Sequence, residues 1–174
     1  MSADYINSLD IWVVSHGGCG SNYIVDLLEK NGYHLREGGR SSLNYGEHCH
    51  RAYIPKGVKT KILYIYGDII ASMCSQQSRR LLTGNLMKLK DGHQNEDLND
   101  PCNYLFQYKN FTEAGAVKLK YPFTDEDIMR TFEELDLTIT IMPEVSERTQ
   151  TYPEKDYHTR ILESLKYYQR SLLK

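Results

Sequence analysis

The sequence predicts an α/β fold: a mostly parallel central sheet with helices on both faces, three layers deep, built from residues 1–174 as one domain. Three observations point there. Ile11–Ser15 (IWVVS) and Ile62–Tyr66 (ILYIY) are short, nearly continuous apolar runs, the pattern of buried parallel strands. Each run leads through glycine into a segment with helical features. Hydrophobic residues make up 40% and charged residues 25%, so the chain has enough apolar surface for a globular core.

Taken in order, Ile11–Ser15 is the first strand, bounded by Asp10 and a glycine cluster. A helix follows from about Ser21 to Asn31. Ile24, Leu27 and Leu28 share its apolar face, Ser21 can cap its start, and Asn31-Gly32 stops it. Tyr33–Leu35 reads as a second short strand and Gly38–Gly46 as a loop. Ile62–Tyr66 ends at Gly67-Asp68, and one helix is expected from there to about Met87. Lys88–Asn103 is polar and turn-rich, and reads as a long excursion or lid. Ala116–Tyr121 and Leu137–Met142 alternate like strands. Between them Thr124 opens a helix, with Asp127 as its capping-box partner. Tyr157, Ile161, Leu165, Tyr168 and Leu172 stripe a final amphipathic helix. No internal repeat is visible.

Composition excludes several functions. A net charge of −2 gives no reason to expect nucleic-acid or membrane-surface binding. The start, MSADYINSLD, lacks the basic and apolar regions of a signal peptide, and no stretch reaches the ~20 apolar residues of a membrane span. Cys19, Cys49, Cys74 and Cys102 form no CxxC pair and read as reduced thiols of a cytoplasmic protein.

Ligands of parallel sheets bind at the carboxyl ends of the strands, which singles out two turns. In SHGGCGSN, Gly17, Gly18 and Gly20 allow close backbone approach. The N–H groups running into the helix make an anion cradle, to which Ser21 and Asn22 can add side-chain hydrogen bonds. The Walker lysine is missing, because Ser21 follows Gly20 directly. After the second strand, Ser72, Ser75, Gln76 and Arg79 fall at i, i+3, i+4 and i+7 on one helix face. That face suits a phosphate or sugar, or is simply solvated. Asp68 reads either as the cap of that helix or as a metal ligand after an apolar strand. His48-Cys49-His50 has no second ligand pair in view, so no metal is expected.

Together the two turns resemble the sulfotransferase family of the P-loop superfamily, which uses 3′-phosphoadenosine 5′-phosphosulfate (PAPS). The family's first motif, (K/R)-(S/A/G)-G-(S/T)-(S/T)-(W/F), grips the 5′-phosphosulfate and aligns with Gly18, Cys19, Gly20, Ser21, Asn22 and Tyr23. Its second motif, an arginine with a serine eight residues on, grips the 3′-phosphate and aligns with Gly67 and Ser75. VKLKYPFTDEDIMRTFEELDL is similar to a later strand and helix of the family. The resemblance implies PAPS as cofactor, 3′-phosphoadenosine 5′-phosphate (PAP) as product, a small-molecule or glycan hydroxyl acceptor, and no metal. Glycine replaces the family's basic residue at 18 and its arginine at 67. Arg79 and Arg80 are candidates to replace that arginine, and Lys59, Lys61, Lys118 and Lys120 are candidates to bring further charge.

Sulfuryl transfer needs a base for the acceptor hydroxyl, and histidine is the common one near neutral pH. His16, inside the turn, and His48 and His50 are the candidates. Two other classes compete: a P-loop kinase or NTPase, and a non-catalytic binding module of sulfotransferase type.

Overall fold

The apolar runs pair with one another. β1 (Ile11–Ser15), β2 (Lys61–Gly67) and β3 (Val117–Tyr121) form a parallel sheet in the order β1-β2-β3, with Val13 opposite Leu63 and Leu63 opposite Val117. The computed structural model describes residues 2–35, 50–90, 100, 102–144 and 161. The expected 157–172 helix, apart from Ile161, and the 38–46 loop lie outside them.

Strand alternation separates two cores. Ile11, Val13, Leu63, Ile65 and Leu119 pack with Ile24 and Leu28 of α2 (Ser21–Lys30), and with Ile128 and Phe132 of α6 (Asp125–Glu134). Trp12, Val14 and Tyr64 pack instead with Ile6 of α1 (Ala3–Asn7) and Phe111 of α5 (Tyr104–Glu113). A third cluster joins α3 (Ile69–Ser78) to α4 (Leu82–Lys90) through Met73, Leu82, Leu86 and Leu89. No helix among the described residues is long and apolar enough to cross a membrane.

Local signals held at α6, where Thr124 and Asp127 form the expected capping box. At α2 the stop signal held, with Gly32 at φ 88° and Tyr33 N–H on the Leu28 carbonyl, but the expected Ser21 cap did not: Ser21 is the first helical residue and Gly20, which has no side chain to cap with, is the N-cap. Four further expectations differ. The helix expected from Asp68 to Met87 is two helices. Arg80 adopts φ 59°, and the Leu81 and Arg80 N–H groups fold back on the Gln76 and Gln77 carbonyls, a C-terminal motif usually built on glycine. Leu137–Met142 is not a strand, because its backbone bonds to side chains. Asn31 Oδ1 accepts from Thr140 and Ile141 N–H, and Tyr33 Oη from Thr138 N–H. Tyr33–Leu35 is likewise outside the sheet, with His34 N–H held by the Asp10 carboxylate. The polar excursion at 88–103 begins as the last turn of α4 and ends in structure. Asp100, Cys102 and Asn103 are buried, and Asn103 Nδ2 bonds the Leu89 carbonyl; residues 91–99 and 101 lie outside the described set.

Two glycines make opposite demands. A Cβ on Gly18 would overlap the Ser72 carbonyl oxygen, and its φ is 73°. A Cβ on Gly84, within α4, meets nothing within 4 Å. Gly18→Ala is expected to destabilise by at least about 2 kcal/mol, and Gly84→Ala to stabilise by roughly 0.5–1 kcal/mol. Urea unfolding midpoints of the two variants check both signs.

Candidate functional site

The turn between β1 and α2 is held from behind by side-chain amides. Gln76 Nε2 donates to the His16 and Gly17 carbonyls at 3.3 and 3.2 Å, and Asn85 Nδ2 braces Gln76 Oε1 at 2.8 Å. The Ser15 carbonyl accepts from Gln107 Nε2 at 3.3 Å and His50 Nδ1 at 3.0 Å. The Gly17 peptide, with its carbonyl held by Gln76, presents the Gly18 N–H on the opposite side. Among the described residues, no acceptor meets the N–H groups of Gly18, Gly20, Ser21 and Asn22. Gly20 caps α2 without any side-chain hydrogen bond. These donors carry the positive end of the helix dipole.

Ser21 is buried, and Ser15 Oγ donates to its oxygen at 3.1 Å. Its own O–H remains available as a donor beside the N–H row. Asn22 is exposed at the first turn of α2. Cys19 takes no part through its side chain. Its side chain is fully buried and directed to the Ile65 carbonyl at 3.4 Å, and burial pushes the thiol up to about 12. Tyr23 stacks on Phe123 with ring centroids 6.3 Å apart, and Phe123 and Tyr121 wall off Gly20.

The second turn lies beside the first, on the neighbouring strand. Asp68 caps α3, accepting from Ala71 N–H at 2.8 Å, so the cap reading holds and the carboxylate is already engaged. Gly67 sits where a Cβ would press the Tyr121 carbonyl oxygen at 3.1 Å. The helix face expected to be polar and open is divided. Ser72 and Gln76 are buried against the glycine turn, whereas Ser75 and Arg79 stay at the surface. Arg79 Nη2 donates to Ser75 Oγ at 3.2 Å. Arg79 therefore stands where guanidinium and hydroxyl can act together, while Arg80 serves as the left-handed residue between α3 and α4.

The histidines separate. His16 is buried, accepts from Gly67 N–H at Nε2 (3.3 Å), and so donates from Nδ1 to the Gly17 carbonyl (3.1 Å). Both nitrogens are committed to backbone. The catalytic role expected of His16 does not fit this geometry, which makes it a structural tie between the two turns. His50 donates from Nδ1 to the Ser15 carbonyl, and among the described residues nothing engages Nε2. His48 lies outside them. Burial lowers both His16 and His50 to about 4, and the charges of Lys88 and Arg79 depress His50 further. Lys88, placed by sequence reasoning in the polar excursion, is thus a cation near the site that only its helical position reveals. Lys61 goes elsewhere. Its Nζ donates to the Leu135 carbonyl at 2.6 Å, at the amino end of β2. There it lines a cleft of about 550 Å³ with Asp10, Asn31 and Asp136, remote from the carboxyl ends of the strands. Among the described residues no group of three His, Cys, Asp or Glu side chains is placed to hold a metal.

Comparison with family models, curated proteins and solved structures found no match to this chain.

Both histidines bind a proton more readily in the unfolded chain (6.5) than in the folded one (about 4). Stability they confer is complete above about pH 6.5 and is lost as pH falls through that window toward 4. The urea midpoint should therefore drop between pH 7 and 4.5. The drop should shrink in His50→Asn, whose amide can still reach the Ser15 carbonyl; an unchanged drop would remove His50 from the account.

Proposed function

We propose that the glycine turn holds the 5′-phosphosulfate of PAPS and that the chain transfers its sulfuryl group to a hydroxyl acceptor. One observation carries this reading: the N–H groups of Gly18, Gly20, Ser21 and Asn22 have no acceptor among the described residues, at the uncapped start of α2. An anion is the natural complement of such a row, and the Ser21 hydroxyl adds a directed donor. The paired Ser75 and Arg79 side chains suit the 3′-phosphate, with Arg79 in place of the arginine that Gly67 lacks. Tyr23, partly exposed and backed by Phe123, offers a ring face near Gly20 for the adenine. The three-layer, sulfotransferase-like arrangement belongs to this reading, supported by apolar cores on both faces of the sheet. A cytoplasmic setting goes with it, supported by the unbridged thiols Cys19 and Cys102.

In the proposed reaction the acceptor oxygen forms a bond to sulfur as the bond from sulfur to the phosphate oxygen breaks, and PAP leaves. The acceptor proton passes to His50 Nε2, with Nδ1 anchored on Ser15. A base near 4 is weak. It serves a proton that departs late, once bonding to sulfur has made the acceptor oxygen acidic. Lys88 places positive charge nearby for the departing phosphate. The kinase alternative has less support, since no Walker lysine is present and Asp68 is engaged as a cap.

Calorimetry with PAP and with ATP–Mg tests the reading. PAP should bind and ATP–Mg should not; the reverse result would favour a kinase, and binding of neither would overturn the nucleotide site. Arg79→Gln should weaken PAP by about tenfold and adenosine 5′-phosphosulfate, which lacks the 3′-phosphate, much less. Equal losses would contradict the role given to Arg79. PAP binding without PAPS turnover across a broad hydroxyl panel would assign the chain as a binding module.

A further inference from the structure

A series of stacked rings leads from the core to the carboxyl end of β2. Phe111 and Tyr64 lie parallel within 10° at 5.4 Å, and Tyr64 and Tyr66 within 7° at 6.0 Å. Phe111 and Tyr64 are fully buried, whereas Tyr66 is half-buried, so the series ends at the surface. Tyr108, 36% exposed, meets Tyr66 edge-on at 5.2 Å. Two lysines stand on the same face of the sheet. Lys118 pairs in register with Tyr64, and Lys120 with Tyr66. Both are exposed, and Lys118 Nζ lies 5.3 Å from the centre of the Tyr108 ring. Among the described residues neither lysine forms an ion pair.

We infer that Tyr66, Tyr108, Lys118 and Lys120 form a binding site for a small planar aromatic anion, its ring on Tyr66 and its charge toward Lys120. The geometry favours this class for two reasons. A tyrosine already fixed by Tyr64 and Tyr108 loses little freedom when another ring packs on it. Two cations beside that ring, neither ion-paired among the described residues, complement one negative charge and add nothing for a neutral ligand. The patch offers one ring and two charges, which suits a single small molecule. A nucleic-acid strand would call for several successive platforms. This site lies on the α5 side of the sheet and does not depend on how the glycine turn is used.

The probe is 2-naphthoate, followed by calorimetry and by the ring resonances of Tyr66, which are identified by their loss in Tyr66→Phe. Binding should shift those resonances. The saturated analogue decalin-2-carboxylate should bind at least about tenfold more weakly, because it cannot stack. Lys118→Gln/Lys120→Gln changes only exposed side chains and should cost about three- to tenfold, the modest worth of surface charges. Tyr66→Leu should abolish binding if its unfolding midpoint shows it folded. Equal affinity for the saturated analogue, or naphthoate binding without a Tyr66 shift, would overturn the inference; so would no binding, or tighter binding of oligouridylate than of naphthoate.

Discussion

The carboxyl edge of this sheet depends on buried amides holding the carbonyl oxygens of Ser15, His16 and Gly17. Gln76 and Gln107 do this from two different helices, and Asn85 in turn fixes Gln76. A buried amide with unmet hydrogen bonds is costly, so the network is satisfied as a whole or not at all. It forces α3 against the turn until Ser72 touches Gly18, a contact only glycine tolerates. The glycines here are required first by packing. The outward Gly18 N–H follows from that packing, and together with the N–H groups of Gly20, Ser21 and Asn22 at the uncapped start of α2 it makes the turn a candidate anion site.

The same burial governs the histidines. His16 lies within the Ser15–Gly17 segment, His50 donates to it from Nδ1, and both are kept neutral by desolvation. Their different uses come from hydrogen bonding. His16 gives one nitrogen to Gly67 and the other to Gly17, tying the first turn to the second. Among the described residues, His50 uses one nitrogen only. Positive charge reaches this region from Arg79 and Lys88, on consecutive helices joined through the left-handed Arg80. A glycine turn that carries no basic residue of its own can therefore still sit in a positive field.

Much of the fold was legible. The runs at 11–15 and 62–66 became β1 and β2 because their apolarity is continuous, and α6 formed behind a capping box whose chemistry is local. Leu137–Met142 misled because alternation states only what a strand would look like. Whether a neighbour is there to pair with is a tertiary matter, and Asn31 and Tyr33 supply the partners instead. The break at Arg80 was hidden for a related reason, since a left-handed arginine carries no composition signal. α5 carries little sequence signal: Tyr104, Gln107 and Phe111 fall on one buried face at i, i+3 and i+7, with a glutamine at its centre that hides the apolar stripe.

At the site, the sequence by itself determined the turn, its glycines, its serine and its missing lysine. Those follow from residue identity and from a strand-to-helix transition that needs only local period to be read. The tertiary structure alone decided which polar groups are used up by the protein and which are left over for a ligand. His16 and Gln76 proved internal, while Ser75 with Arg79 stayed at the surface and, among the described residues, the N–H groups of Gly18, Gly20, Ser21 and Asn22 met no acceptor. The reason is that the deciding partners are distant in the chain: His50 reaches Ser15 from 35 residues away and Gln107 from 92. No local pattern records such a meeting.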